Sequence, residues 1–265
     1  MDYIKPSDVL QTMLTAGQAK ADLSVRDLCL RGFLSGALLG FATSLAITAT
    51  AQTGTPLVGA LVFPVGFVMI VLLGLELVTG SFATVMLAGV DGRRSWSRVA
   101  ANLGWVFTAN LVGSVVYGLL LYVTLTSMGT EAPTGIAGKI VALAELKTNG
   151  YAAHGLAGFV TAMAKAVLCN WMVCLGVVMA MTSQSTLGKI GAMWLPILTF
   201  FGQGFEHSVV NMFIIPTGMM LGAKVSATDW WLWNQLPVTL GNFLGGFLFT
   251  GLFLYWTYRP TLAPA

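Results

Sequence analysis

Gly202-Gln203-Gly204-Phe205-Glu206-His207-Ser208 interrupts an otherwise apolar run that extends from Ile190 to Leu221, and it carries one of only two histidines in the chain. An ionisable side chain at the centre of a membrane helix costs roughly 2.5 to 3.5 kcal/mol for Asp, Lys or Arg, so an acid and a histidine in such a run need a reason. The run is also too long for one straight crossing and holds Gly and Gln at mid-depth, which predicts a broken helix.

Composition sets the class. The chain is 56% hydrophobic and 9% charged, against about 25% charged in a soluble domain, which excludes a wetted globule. Apolar runs lie near Leu28–Ala51, Leu57–Val90, Val99–Ser127, Leu156–Thr182, Ile190–Leu221 and Trp231–Tyr258. Each is long enough to cross a hydrocarbon core of about 30 Å. Lipid offers no backbone partners, and the runs far exceed the length of barrel strands, so all six are expected to be helices. The reading is an all-α polytopic membrane protein with one transmembrane domain over 1–265.

Met1 to Asp27 lacks the apolar core and small-residue cleavage site of a signal peptide, so it is expected to persist as an amphipathic helix before the first span. Nine basic residues, Lys5, Lys20, Arg26, Arg31, Arg93, Arg94, Arg98, Lys189 and Arg259, fall on the side of the termini, against Lys139, Lys147 and Lys224 opposite. That asymmetry predicts cytoplasmic termini. The net charge of +3 is thus a topology signal, and no basic patch suggests nucleic acid.

Cys29, Cys169 and Cys174 have no zinc spacing and read as packing residues. No phosphate loop, paired histidine motif or nucleophile triad appears, and no metal or cofactor is expected. Gly32-x-x-x-Gly36-x-x-x-Gly40 and Gly241-x-x-x-Gly245 predict close helix approach. Trp230, Trp231, Trp233, Tyr255, Trp256 and Tyr258 bracket the last span as interfacial anchors.

An internal repeat organises these runs. Gly74-Leu75-Glu76 is echoed by Gly204-Phe205-Glu206, and Asn110-Leu111-Val112-Gly113 by Asn242-Phe243-Leu244-Gly245, at offsets of 130 and 132 residues. Halves near 28–127 and 156–258 with three spans each must enter the membrane in opposite senses, the inverted repeat of a transport architecture. The second run, with Leu77-Val78-Thr79-Gly80-Ser81 at mid-depth, is expected to break like the fifth, and the two breaks to meet around a pore. Glu76 and Glu206, being repeated, are read as scaffold at the breaks. His207 has Leu77 in its place in the first half, so symmetry cannot account for it. A buried imidazole can donate to a small anion or exchange a proton with it.

Four segments carry a resemblance: Gly204-Phe205-Glu206-His207-Ser208-Val209-Val210-Asn211-Met212-Phe213 with Ile215-Pro216, Cys169-Asn170-Trp171-Met172-Val173-Cys174-Leu175, Leu75-Glu76-Leu77-Val78-Thr79-Gly80, and Leu236-Pro237-Val238-Thr239-Leu240-Gly241-Asn242. In this order they resemble the formate/nitrite transporter family, over about Lys5 to Tyr258. The resemblance implies an aquaporin-like protomer, a homopentamer with one pore per protomer in a bacterial plasma (inner) membrane, and passage of small monovalent anions or their acids. It implies that His207 is the central pore histidine and that Thr79 hydrogen-bonds it. It places Phe63, Phe67, Leu77, Val78 and Phe200 at the hydrophobic constrictions and Asn170 on the pore side. A vestibule lysine is implied at Lys147, in Ala144-Glu145-Leu146-Lys147, with Lys165 the alternative; Asn110 and Asn242 belong with the helix breaks.

The mechanism expected from these parts is that an anion gathers at a vestibule cation and is protonated at or near His207. It then crosses the apolar constrictions as the neutral acid. Formate and nitrite suit it, and hydrosulfide, acetate and lactate are further candidates. A neutral-solute channel for water, glycerol or ammonia is the alternative. A membrane-embedded enzyme is less favoured, since His154 and His207 with Glu76 and Glu206 supply few ligands or acids.

Overall fold

The computed structural model describes residues 2–262, and among them there is no β-strand, only an isolated bridge between Tyr3 and Ser183. The helices run in the order α1 (Pro6–Ala21), α2 (Val25–Thr53), α3 (Pro56–Val62), α4 (Pro64–Leu72), α5 (Val78–Val90), α6 (Trp96–Thr126), α7 (Ile136–Ala152), α8 (Gly155–Ala180), α9 (Thr186–Gly202) and α10 (Ser208–Met220). A C-terminal helix, Ala227–Thr261, completes the chain and includes two π-helical stretches, Trp231–Gln235 and Gly245–Leu252.

Four helices are long and apolar enough to cross a membrane: α2, α6, α8 and the C-terminal helix. The remaining apolar helices are short and occur in two end-to-end pairs, Pro56–Leu72 with Val78–Val90, and Thr186–Gly202 with Ser208–Met220. Local chemistry explains both interruptions. Gly74 (φ +62°) and Gly204 (φ +66°) take the left-handed conformation that closes a helix, with Leu75 N–H returning to Ile70 O at 3.0 Å and Phe205 N–H to Phe200 O at 3.2 Å. The backbone then extends with almost the same dihedrals at Leu77 (φ −118°, ψ 118°) and His207 (φ −117°, ψ 121°) before the next helix starts. The first break therefore precedes the stretch expected from sequence: it occupies 73–77, and Val78–Ser81 is the opening turn of α5.

The two halves pack alike. α2 lies along α6 and α8 along the C-terminal helix. At these crossings glycine admits backbone against backbone: a Cβ on Gly36 would fall 2.0 Å from Asn110 O, and one on Gly245 would fall 2.2 Å from Val167 O. The correspondence also reaches beyond 28–127 and 156–258, because α1 packs on α5 as α7 packs on α10.

Candidate functional site

Asn110 and Asn242 hold the two breaks in matching ways. Asn110 Oδ1 accepts from Val78 N–H, the first residue of α5, at 3.0 Å, while its Nδ2 donates to Gly32 O (2.8 Å) and Glu76 O (2.9 Å). Asn242 Oδ1 accepts from Ser208 N–H, the first residue of α10, at 2.8 Å, while its Nδ2 donates to Ala166 O (2.8 Å) and Glu206 O (3.0 Å). Each amide thus ties one helix start and one extended carbonyl to a neighbouring helix. Backbone groups freed by a break at membrane depth would otherwise go unpaired, at a cost of several kcal/mol each.

The carboxylates occupy equivalent ion pairs. Lys20 Nζ of α1 lies 2.7 Å from Glu76 Oε1, and Lys147 Nζ of α7 lies 2.8 Å from Glu206 Oε2. Asn102 Nδ2 and Asn234 Nδ2 donate to the backbone carbonyls of these lysines, at 2.8 Å and 2.9 Å respectively. Glu206 is further held by Tyr151 Oη (2.8 Å) and Asn211 Nδ2 (2.7 Å).

Between the breaks, Thr79 Oγ1 lies 3.1 Å from His207 Nε2, and both side chains are buried. His207 is also the N-cap of α10, where Nδ1 accepts from Val210 N–H at 3.2 Å. A nitrogen that accepts carries no hydrogen, so the neutral ring has its hydrogen on Nε2 and donates it to the threonine oxygen. The Thr79 hydroxyl hydrogen is then free for another acceptor. Leu77, in the equivalent position of the first half, has no side-chain acceptor for Gly80 N–H.

Thr79 is held from behind. Asn170 Nδ2 donates to Thr79 O (3.0 Å) and Asn242 O (2.7 Å), and Cys174 Sγ donates to Thr79 O at 3.2 Å. These contacts link α5 to α8 and the C-terminal helix across the two halves.

Two cavities approach this pair and share no lining residue. One, about 480 Å3, lies on the α1 side and is lined by Lys20, Phe67, Leu77, Gly80 and Lys189 among others. The other, about 590 Å3, is lined by Lys139, Lys147, Phe200, Val210, Ile214 and His207. Phe63, fully buried, packs edge-on to Phe200 (5.7 Å between ring centres) and stacks on Phe201, while Phe200 stacks on His207 at 5.8 Å. Val78 is buried at the start of α5 and, like Asn170, lines neither cavity. Lys165 sits 5.8 Å over the Tyr151 ring and lines neither cavity, whereas Lys147 both lines one and pairs with Glu206.

Sequence reasoning passed over Tyr151, Asn211 and the Asn102–Asn234 pair. One signal was available: Asn102 precedes Asn110 by eight residues as Asn234 precedes Asn242, a second echo at the same offset.

A twice-repeated helical scaffold with broken helices meeting at a buried hydroxyl–imidazole pair defines a membrane transport protein. The chain belongs to the formate/nitrite transporter family, whose model matches residues 7–256. It is 37% identical to a probable formate transporter of Methanothermobacter thermautotrophicus, over 97% of each chain. Its fold matches a solved ion channel of the same family with TM-score 0.81 at 28% identity, covering 94% of this chain and 98% of that one. It also matches a pentameric formate channel with formate bound, with TM-score 0.73 at 27% identity, covering 89% and 98%. These relatives are channels and transporters, not enzymes.

Proposed function

We propose that this protein is a membrane channel for small monovalent anions, with formate the foremost substrate, and that its permeant species crosses as the neutral acid past Thr79 and His207. The observation that carries the reading is the 3.1 Å contact between Thr79 Oγ1 and His207 Nε2, with His207 lining one cavity together with Phe200, and Leu77 and Gly80, either side of Thr79 in the chain, lining the other together with Phe67. In this reading the two short-helix pairs each make one broken crossing, giving six in all, and both termini lie in the cytoplasm. The assembly is a homopentamer with one pore per protomer, as in the pentameric relative.

Lysines line both cavities: Lys139 in one and Lys189 in the other make no ion pair among the described residues and draw in anions, whereas Lys147 and Lys20 beside them are balanced by Glu206 and Glu76. The N-termini of α5 and α10, both starting at the breaks, add the positive ends of two helix dipoles. Between the apolar rings an anion loses its hydration, and an unpaired buried charge is far more costly than a neutral polar group. Formate and nitrite are conjugate bases of small weak acids, so taking up a proton removes that charge. The Thr79 hydroxyl, freed to donate by the imidazole behind it, hydrogen-bonds the permeant oxygen at the narrowest point. A protonated His207 would carry a hydrogen on Nδ1 facing Val210 N–H. A proton passing through the ring therefore has to open the first turn of α10, whereas a proton gained beside the ring does not.

Proteoliposomes supplied in parallel with formate, nitrite, hydrosulfide, acetate and lactate test the substrate class, with glycerol and water swelling as controls. Formate flux well above swelling supports the reading. Swelling that outruns every anion would replace it with a neutral-solute channel.

A further inference from the structure

Four differences between the two halves fall on one chain of contacts. At the breaks, His207 stands in the place of Leu77, and Thr79 in the place of Val209, both at an offset of 130 residues. The register of α2 on α8 is fixed by two matching contacts. Asn110 Nδ2 donates to Gly32 O as Asn242 Nδ2 donates to Ala166 O, and a Cβ on Gly113 would meet Phe33 O as one on Gly245 would meet Val167 O. In that register Asn170 takes the place of Gly36, and Cys174 that of Gly40. The room for these larger side chains comes from the partner helix. Gly246 stands where the first half has Ser114, and a Cβ on it would fall 2.6 Å from Asn170 Nδ2 and 2.7 Å from Cys174 Sγ. The second half has thus exchanged large for small across the helix pair, and α8 gains two donors one turn apart. Both end on Thr79 O, Asn170 Nδ2 at 3.0 Å and Cys174 Sγ at 3.2 Å, and Thr79 carries the hydroxyl that meets His207.

We infer that Cys174 is a positioning residue for Thr79: its thiol, donating to the Thr79 carbonyl beside the Asn170 amide, fixes the peptide between Thr79 and Gly80 and so holds the Thr79 hydroxyl against His207. Asn170 also ties Asn242 O, so it serves the second break as well as Thr79. Cys174 makes no other hydrogen bond among the described residues, so its donor serves Thr79 alone. A carbonyl held by two donors cannot tilt without straining both. Gly80, on the other side of that peptide, lines the α1-side cavity, and a Cβ on it would fall 3.2 Å from Val177, one turn beyond Cys174 on α8. One peptide therefore carries both the central hydroxyl and part of the cavity wall. A thiol is a weak donor, so losing it loosens Thr79 without unfolding the break. The effect on transport rests on the reading that the Thr79 hydroxyl meets the permeant, whereas the positioning itself does not.

The test uses the full-length protein in proteoliposomes and two readouts. In a His154→Gln background His207 is the single histidine, and solid-state NMR of its Nε2–H proton reports the bond to Thr79 with no permeant present. Formate flux at one fixed pH is the second readout. Cys174→Ala should move the resonance toward a weaker hydrogen bond and lower the flux by at least about threefold, the scale of one lost hydrogen bond. Cys174→Ser, which restores a donor, should recover most of both. Cys169→Ala, which removes a buried thiol of the same helix that does not bond Thr79, should match the wild type. A residue that only fills space would give the same result as Ala and as Ser, and equal shifts in those two variants would overturn the proposal. So would a resonance unchanged in Cys174→Ala, even where the wild type transports formate. A resonance that responds as stated in a protein that does not transport formate would uphold the positioning and overturn the reading of the permeant.

Discussion

Asn242 stands to Ser208 as Asn110 stands to Val78: in each pair an amide oxygen from a long helix accepts the first backbone N–H of a half-helix, at 2.8 Å and 3.0 Å. The amide nitrogens bond the extended carbonyls of Glu206 and Glu76, so one side chain satisfies both a donor and an acceptor where each break runs into the next helix. Replacing Asn242 with Ala leaves two buried backbone groups of the break, Ser208 N–H and Glu206 O, without partners, at about 1–3 kcal/mol each. Asn242→Ala is expected to lower the thermal midpoint of the purified protein sharply, and Asn110→Ala to do the same. A midpoint unchanged in both would show that the breaks do not depend on these amides.

Lys147 and Glu206 form a buried pair, 16% and 4% exposed at the side chain. Removing one member strands the other, a loss of about 3–5 kcal/mol, whereas neutralising both is far milder. Lys147→Met is therefore expected to destabilise the protein more than the double variant Lys147→Met with Glu206→Gln. Thermal unfolding of both in the same detergent checks this, and equal losses would contradict it.

Gly36 faces Asn110 O so closely that a Cβ would sit 2.0 Å away, while a Cβ on Gly104, on the exposed side of α6, meets nothing within 4 Å. Gly36→Ala should force α2 and α6 apart and reduce the yield of assembled protein. Gly104→Ala should be tolerated. Size-exclusion profiles of the two variants distinguish them.

Asp22, at the end of α1, receives Arg94 Nε at 2.6 Å and Arg98 at 3.2 Å. The hydrogen bond from Arg94 holds its carboxyl below the usual value of 3.8. A carboxylate with a lowered folded-state value contributes stability above its unfolded value, which is lost as pH falls through the folded one. The pair should therefore keep α1 seated throughout neutral and mildly acidic pH and weaken only below about pH 4. Hydrogen exchange in α1 should be the same at pH 7 and pH 5 apart from the intrinsic rate, and faster in Asp22→Asn at both.

The all-helical membrane class was legible from long apolar runs, which membrane depth favours, and the echoes of Glu76 in Glu206 and of Asn110 in Asn242 were legible because each rests on a residue type that membrane depth makes costly. The first break was misplaced by a few residues: Thr79 and Ser81 looked like the polar interruption, whereas Gly74 performs it and Thr79 belongs to the helix that follows. The kinship of α1 and α7 was not legible. What they share, Lys20 and Lys147 set against the two glutamates with an asparagine amide on each lysine carbonyl, emerges only in the fold. Tyr151 and Asn234 join Glu206 and Asn211 only through tertiary packing, 55 and 23 residues away in the chain.

The central claim is that permeation runs past the Thr79–His207 pair as a neutral acid, and formate flux into proteoliposomes across pH tests it most directly. The wild type should transport faster as the pH falls and the acid form grows. His207→Ala and His207→Phe should change the rate by at least about tenfold, the equivalent of ~1.4 kcal/mol in the barrier, and alter its pH dependence. Unchanged rates and unchanged pH dependence in both variants would contradict the account.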